Sequence, residues 1–485
     1  MNTGNKNVDK QLERLLKNHN IYPFSGVNVN IAGNDPVMDT PWHIGGAAAT
    51  ALAAHGIAVS EIWDIRKAKN HNQTIDIDIA SAALSTLRCD FMKQNGYSVP
   101  FPDIDYPTVG IYQTKDKKYV FINGGFPELR RGILKILNCP DNREAIALAL
   151  SKWKAADIEK EAQQKGFCCV MCRTSDEWYN TKQGKALSDA LSSKGFINPV
   201  TIERLCDCEP QPFLELGEKD KPLSNINVLD LTHVLAGPTC GMMLAEQDAT
   251  VMRVNGPQVP FILPFVMDTG HGKLNVQIDL KTDEGRENLW NLIDNGADVF
   301  SESYRPEKMS SLGFSPKAIA DRLKAKGKGI IYVSINCYGH NGPWKDLPGW
   351  EQLAQATTGL AVEQGNGDKP KLLPTFPNDY ITGYLAAYGA LTALLKRHIE
   401  GGSYHVKVSL CATAMWLQNF GKVDRSKLPP KEFESQVIEN SMIYNKNTGY
   451  GQLKYFGHPI NYSETKAEWK RPTVPVGFNK PQWPN

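Results

Sequence analysis

Several things are scarce in this 485-residue chain, and each scarcity narrows what it can do. There is no excess of one charge: 54 Lys and Arg face 52 Asp and Glu, a formal net charge of +2. No global field therefore draws the chain to nucleic acid or to an anionic membrane, and an anionic ligand must be held by local groups. No apolar run approaches the roughly 18 residues that a membrane span needs. The opening, Met1 to Asn20, is polar and Lys-rich, without the apolar stretch of a secretory signal. The closing Gln482-Trp-Pro-Asn is no recognised targeting tripeptide. A cytoplasmic, reducing compartment is the expectation. No G-x-G-x-x-G follows a candidate strand, which disfavours a nucleotide-dependent oxidoreductase. Cysteine is present at ten positions, but not in a zinc pattern. Cys168, Cys169 and Cys172 cluster, yet Cys206 and Cys208 lack the C-x-x-C spacing of a second pair. Phe167-Cys-Cys-Val-Met-Cys is an apolar run, simplest as a buried strand in which free Cys packs as a small hydrophobe. No metal and no disulfide are expected.

What is present is alternation. Asn227-Val-Leu-Asp-Leu, Ala249 to Val254, Leu274 to Leu280, Ala297 to Ser301 and Gly329 to Ile335 are strand-like. Between them lie helical stretches opening at Gly237, Thr282 and Ser315. The largely apolar Gly329 strand is of the kind buried on both faces of a parallel sheet. This rhythm predicts an α/β fold, a doubly wound parallel-sheet (Rossmann-like) large domain over 226–420. A smaller α+β domain is expected over 91–208, with a Pro-bearing linker at 209–225 and an extended C-terminal tail over 421–485.

One carboxylate stands out. Asp379 lies in Leu373-Pro-Thr-Phe-Pro-Asn-Asp-Tyr-Ile-Thr-Gly-Tyr, directly before a helix rich in Ala and Gly. By itself that is the pattern of a helix N-cap. The segment also has an internal echo. Leu52-Ala-Ala-His-Gly-Ile, followed by Ile75-Asp-Ile-Asp-Ile-Ala-Ser-Ala-Ala, matches Leu385-Ala-Ala-Tyr-Gly-Ala, followed by Val406-Lys-Val-Ser-Leu-Cys-Ala-Thr-Ala. Gly46 stands in the first copy where the second has Asp379, so residues 1–90 read as the remnant of a first large-domain copy that has lost its carboxylate.

Ordered motifs then carry a resemblance. Val228-Leu-Asp-Leu-Thr-His-Val-Leu-Ala-Gly-Pro, Gly272 to Arg286, Ala297-Asp-Val-Phe-Ser-Glu-Ser-Tyr-Arg-Pro with Leu312-Gly-Phe, Ile331 to Pro343, and Ala354-Gln-Ala-Thr-Thr-Gly-Leu run in sequence ahead of Asp379. Together they resemble the family III CoA-transferases, the group that includes formyl-CoA transferase, carnitine CoA-transferase and alpha-methylacyl-CoA racemase. Tyr106-Pro-Thr-Val-Gly-Ile-Tyr and Glu177-Trp resemble pieces of that family's small domain. The order small domain then large domain departs from the family, as in a tandem with one front removed.

The resemblance implies the family fold and carries Asp379 onto the catalytic aspartate. It implies a transfer of CoA between an acyl-CoA thioester and a carboxylic acid, through an aspartyl-acyl anhydride and an aspartyl-CoA thioester. It places His233, Val234, Leu235 and Ala236 along the CoA turn, Lys281 as the leading cation with Ile278 beside it, and Tyr304 and Arg305 near the pantetheine or adenine. Arg253 and Lys273 are further cation options. Gly383 marks a helix start whose N–H groups are candidate oxyanion donors. The partners it implies are acyl-CoA, a carboxylic acid and a second copy of the chain in a homodimer, with no nucleic acid and no membrane.

Three departures accompany it. Leu235 stands where transferases often carry Gln. Trp350 stands where racemase members carry His, which argues against a two-base α-proton exchange. Asn123-Gly-Gly-Phe is the nearest thing to the glycine loop of formyl-CoA transferase. A substrate pocket around Trp350, Phe376 and Tyr380 is aromatic and favours a bulkier or apolar acid over formate or oxalate. The alternatives are an acyl-CoA racemase or lyase relative using Asp379 as a base, and a non-catalytic CoA-binding relative.

Overall fold

The computed structural model describes residues 3–21, 26–68, 72–100, 106–193 and 195–484. Met1 and Asn2, which open the polar N-terminal stretch, lie outside the described residues. The alternating second half folds as expected into a sheet covered by helices. Strands Ser403–Ser409, Ile331–Asn336, Val299–Glu302, Asn227–Leu231, Thr250–Asn255 and Lys273–Gln277 lie side by side in that order, all parallel. Their apolar residues face helices on both sides, so nearly every position is buried.

The sheet differs from a purely parallel one at its edge. Val200–Cys206, from the region assigned to the smaller domain, pairs antiparallel with Ser403–Ser409 and leaves all but Val200 at least partly exposed. An edge strand needs only one apolar face, and a seven-residue strand pattern carries no information about the partner it will choose.

The smaller region is a three-stranded antiparallel sheet, Val109–Gln113, Tyr119–Asn123 and Cys169–Met171. Helices Pro127–Leu137, Arg143–Leu150 and Ala155–Gln164 close a core of Val120, Ile122, Ile133, Ile146, Leu150 and Ile158 over it. The Cys-rich run is a buried strand here, and all ten cysteines are free thiols.

The chain beyond residue 421 is more structured than an extended tail. Lys431–Ser441 is helical, and Met442–Thr448 and Gly451–Phe456 form a hairpin that pairs with Lys93–Gln94. The helix has no fully buried residue; only Val437 and Ile438 pack part-buried on the core, too narrow a stripe to mark it in the sequence.

The first half supplies a smaller copy of the sheet's central unit. Strand Val27–Ala32 runs into helix Ile44–Lys67 and then into the parallel strand Gln73–Asp78, followed by helix Ile79–Leu84. Strand Ile331–Asn336, helix Pro377–Glu400, parallel strand Ser403–Ser409 and helix Leu410–Gln418 repeat that arrangement. In both copies the residue ending the second strand caps the next helix: Asp78 accepts from Ser81 N–H at 2.8 Å and Ser409 from Ala412 N–H at 3.3 Å.

The two long helices are apolar nearly all round and pack on each other at the centre of the molecule. A buried knot joins the halves. Arg88 donates Nε to Asp268 Oδ1 at 2.9 Å, and Tyr380 Oη donates to Asp268 Oδ2 at 3.1 Å.

Candidate active site

Pro377 occupies the first turn of helix Pro377–Glu400, where a missing N–H costs nothing. Phe376 precedes it and offers no side-chain cap. The free N–H groups of the next two residues are satisfied from a distance. Glu351 Oε2 accepts from Asp379 N–H at 2.8 Å, and Oε1 accepts from Asn378 N–H at 3.3 Å and from Asn378 Nδ2 at 3.0 Å. Gln355 Nε2 donates to the same carboxylate at 2.8 Å. Asp379 is thus not the cap that a bland reading of the sequence suggests. Its own side chain is left over, and it borders an open cavity of about 1070 Å³.

The cavity is floored by buried groups and rimmed by charged ones. Asp379, Glu351, Ala236, Ile335, Cys337 and Leu410 are buried along it. Arg305, Lys308 and Lys345 line it as exposed side chains. Phe126 and Trp350 meet edge to face in its wall, ring centroids 4.8 Å apart. Burial pushes the Asp379 carboxyl up to about 7. Glu351 is raised further, by burial and then by the Asp379 charge beside it. Two neighbouring buried carboxyls resist ionising together, so near neutrality the pair retains a proton.

Of the residues singled out from the sequence, His233, Val234, Ala236, Tyr304, Arg305, Trp350 and Asp379 line this cavity. Val234 sits at φ 64°, a left-handed conformation that a β-branched residue holds only under strain of about 1–3 kcal/mol. His233 N–H donates to Ser303 Oγ at 2.9 Å, and its ring meets Tyr304 at 4.8 Å. Burial first, and Arg253 second, lower the His233 imidazole to about 4, so it is neutral at physiological pH.

The remaining candidates lie elsewhere. Leu235 is buried in the core beside the turn. Ile278 packs with Leu229, Leu231 and Val254 under the sheet. Lys281 is exposed and outside the lining, its Nζ donating to Gln258 Oε1 at 2.7 Å, and Gln258 itself borders the cavity. Lys273 is spent in a buried pair, Nζ to Asp230 Oδ2 at 2.6 Å and to the Pro238 carbonyl at 2.6 Å. Arg253 is buried, with Nε and Nη1 unpartnered among the described residues.

Tyr380 is fully buried and turned to Asp268, and Phe376 lies outside the lining, so neither belongs to the aromatic wall expected of them. Gly383 is well inside the helix rather than at its start. A Cβ there would meet the Ala236 carbonyl oxygen at 2.6 Å, so its role is the close crossing of helix Ala236–Ala245.

Sequence reasoning passed over Glu351, Phe126 and Leu129. Glu351 follows Trp350 directly, but a Glu in a helix's first turn is an ordinary residue, and its acceptance from residues 28 positions away is invisible without the fold. Phe126 closes the Asn123-Gly-Gly-Phe segment, which does reach the cavity through its aromatic end. Among the described residues there is no group of three or more His, Cys, Asp or Glu placed to hold a metal, and no helix long and apolar enough to cross a membrane.

Comparison with known proteins follows the same lines. A family model of CoA-transferase family III matches residues 223–434. An acetyl-coenzyme A transferase, nodX, of Hypoxylon pulicicidum is 31% identical over 325 residues, which is 63% of this chain and 54% of that protein. The chain thus spans about half of that relative's length. An acyl-CoA transferase of Gibberella moniliformis is 30% identical over 427 residues, 81% of this chain and 73% of that protein. A crystal structure of a hypothetical protein from Mycobacterium tuberculosis aligns with TM-score 0.37 and 31% identity over 41% of this chain and 58% of that one.

Proposed function

The chain belongs to CoA-transferase family III, and on that premise we propose that it moves CoA between an acyl-CoA thioester and a carboxylic acid, with Asp379 as the nucleophile. The observation that carries this is the Asp379 side chain, uncommitted at the floor of a cavity while Glu351 takes over the capping of its helix. In the first step an Asp379 carboxylate oxygen attacks the thioester carbonyl carbon. A C–O bond forms, the C–S bond breaks, and CoA leaves as its thiolate. The thiolate then attacks the aspartyl carbonyl, releasing the first acid and leaving an aspartyl-CoA thioester. The incoming acid reverses both steps, so no ATP is consumed.

Each tetrahedral intermediate needs donors for its oxyanion. The unspent N–H groups opening helix Ala236–Ala245 border the cavity at Ala236 and Gly237 and suit that role, in place of the Gly383 N–H, which is committed within its own helix. Glu351 holds the Asp379 backbone and takes up the shared proton when Asp379 ionises. That His233, Val234, Tyr304 and Arg305 line the same cavity supports a part for them in holding CoA. We further propose that residues 1–90 descend from a first large-domain copy and that the chain works as a homodimer.

The test is adduct mapping. The full chain is incubated with an acyl-CoA, quenched with hydroxylamine and digested, and the peptide holding Asp379 is weighed. A hydroxamate on Asp379, absent from Asp379→Asn, is the expected result. Glu351 offers a second carboxylate at the site, so a racemase-type exchange is the competing reading. Deuterium entering the substrate α-carbon with no adduct would establish it instead.

A further inference from the structure

The charge in the cavity is layered. Its three cationic lining residues, Arg305, Lys308 and Lys345, are all exposed at the rim, where phosphates suit them. The buried floor holds two carboxylates, Asp379 and Glu351, among Ile335, Cys337 and Leu410, with no cationic side chain in the lining at that depth among the described residues. Burial alone accounts for the raised Asp379 carboxyl; no nearby cation opposes it. A further acid, Asp346, also lines the cavity with its Oδ1 unpartnered. An acyl group bearing a second carboxylate would set a further anion among these acids, desolvated and with no cationic side chain beside it in the lining. The wall that would meet the acyl chain is instead the Phe126–Trp350 edge-to-face pair.

We propose that the acid seated beside Asp379 is an apolar monocarboxylate, a medium-chain aliphatic or aromatic acid, and that the Phe126–Trp350 wall sets this preference. The proposal rests on Asp379 being the nucleophile, and its test separates the two.

The full chain is offered octanoyl-CoA, phenylacetyl-CoA and succinyl-CoA in parallel, with CoA release and the Asp379 hydroxamate as readouts. Octanoyl- or phenylacetyl-CoA is expected to load at least 100-fold faster than succinyl-CoA. Trp350→Arg, which puts a cation on the wall, should cut that ratio at least tenfold, whereas Trp350→Phe should keep it. If Trp350→Arg does not melt cooperatively, Leu129→Arg on the same wall carries the comparison. Succinyl-CoA loading as fast as the apolar esters would overturn the proposal while leaving Asp379 as nucleophile. An adduct from none of the three would remove both. Ratios unmoved by either arginine would overturn the assignment of the wall.

Discussion

At the start of helix Ile44–Lys67 the Asp35 carboxylate accepts from Gly45 N–H at 3.0 Å and from Gly46 N–H at 2.8 Å. At the start of helix Pro377–Glu400 the Glu351 carboxylate accepts from Asn378 N–H at 3.3 Å and from Asp379 N–H at 2.8 Å. The two helices are each 24 residues long, are built from the same small residues and hand on to the same strand and capped helix. Each therefore keeps a carboxylate whose work is to satisfy a helix end. They differ in the residue being capped: glycine in one, aspartate in the other. The capping acid is the structural half of this arrangement, and the side chain at position 379 is what the front copy does without.

That contrast can be broken or sharpened by substitution, most severely at Asp379. Asp379→Asn should lower CoA transfer by at least about 1,000-fold, by analogy with loss of other covalent nucleophiles. The same change should stabilise the fold at high pH. The Asp379 carboxyl lies at 3.8 in an exposed setting and about 7 here. The folded chain therefore holds a proton that the unfolded chain releases, so stability is full below pH 4 and declines as pH rises to about 7. Melting curves should show Asp379→Asn gaining on the parent between pH 5 and 8 and matching it near pH 4. In the parent, transfer should rise with pH through the same region near 7, because the carboxylate is the form proposed to react.

Glu351→Gln comes next. It keeps one acceptor for the helix N–H groups and removes the second titrating carboxyl of the pair, so the pH midpoint of transfer should shift. Activity should fall by about 100-fold or more, the low end of the range for loss of a positioned proton-transfer group. Unchanged activity and an unmoved midpoint would mean that Glu351 does no more than Asp35 does.

Gly46→Asp puts a carboxylate at the matching position of helix Ile44–Lys67. A Cβ there meets Asp35 Oδ2 at 3.3 Å, so the new carboxylate is crowded against the capping one. Denaturant melts should show a loss of about 1–3 kcal/mol, the range for overpacking with an unpaired charge. No second adduct site should appear on this helix. Asp35→Ala is the mildest of the four. It should cost about 1 kcal/mol, as caps do, and leave transfer untouched. A loss of transfer without unfolding would show that the front copy still takes part in the chemistry.

Much of this was legible in the sequence because it rested on local pattern. The alternation from Asn227 to Ile335 fixes strands and helices one by one, and the echo between Leu52 and Leu385 reappears as two matching units in space. Residues clustered in single motifs, His233, Val234 and Ala236 in one and Tyr304-Arg305 in the other, line one cavity for the same reason. What failed was long range or directional. Tyr380 adjoins Asp379 in sequence, but one residue along a helix turns a side chain by about 100°, and it faces Asp268 instead of the cavity. Lys273 and Lys281 have the same charge in sequence, yet one is neutralised by Asp230 and the other lies beyond the lining. Glu351 could be found only once the fold had brought it to the end of another helix.

The knot at Asp268 has a practical consequence. Cutting the chain within the Glu209 to Ser224 stretch, to obtain a minimal catalytic fragment, would remove Arg88 and strand an anion in the interior next to Tyr380. It would also lay bare the flank of Pro377–Glu400 that Ile44–Lys67 now covers. The piece carrying Asp379 is thus expected to come out of cells as insoluble protein, and to be recovered when the severed front portion is co-expressed with it.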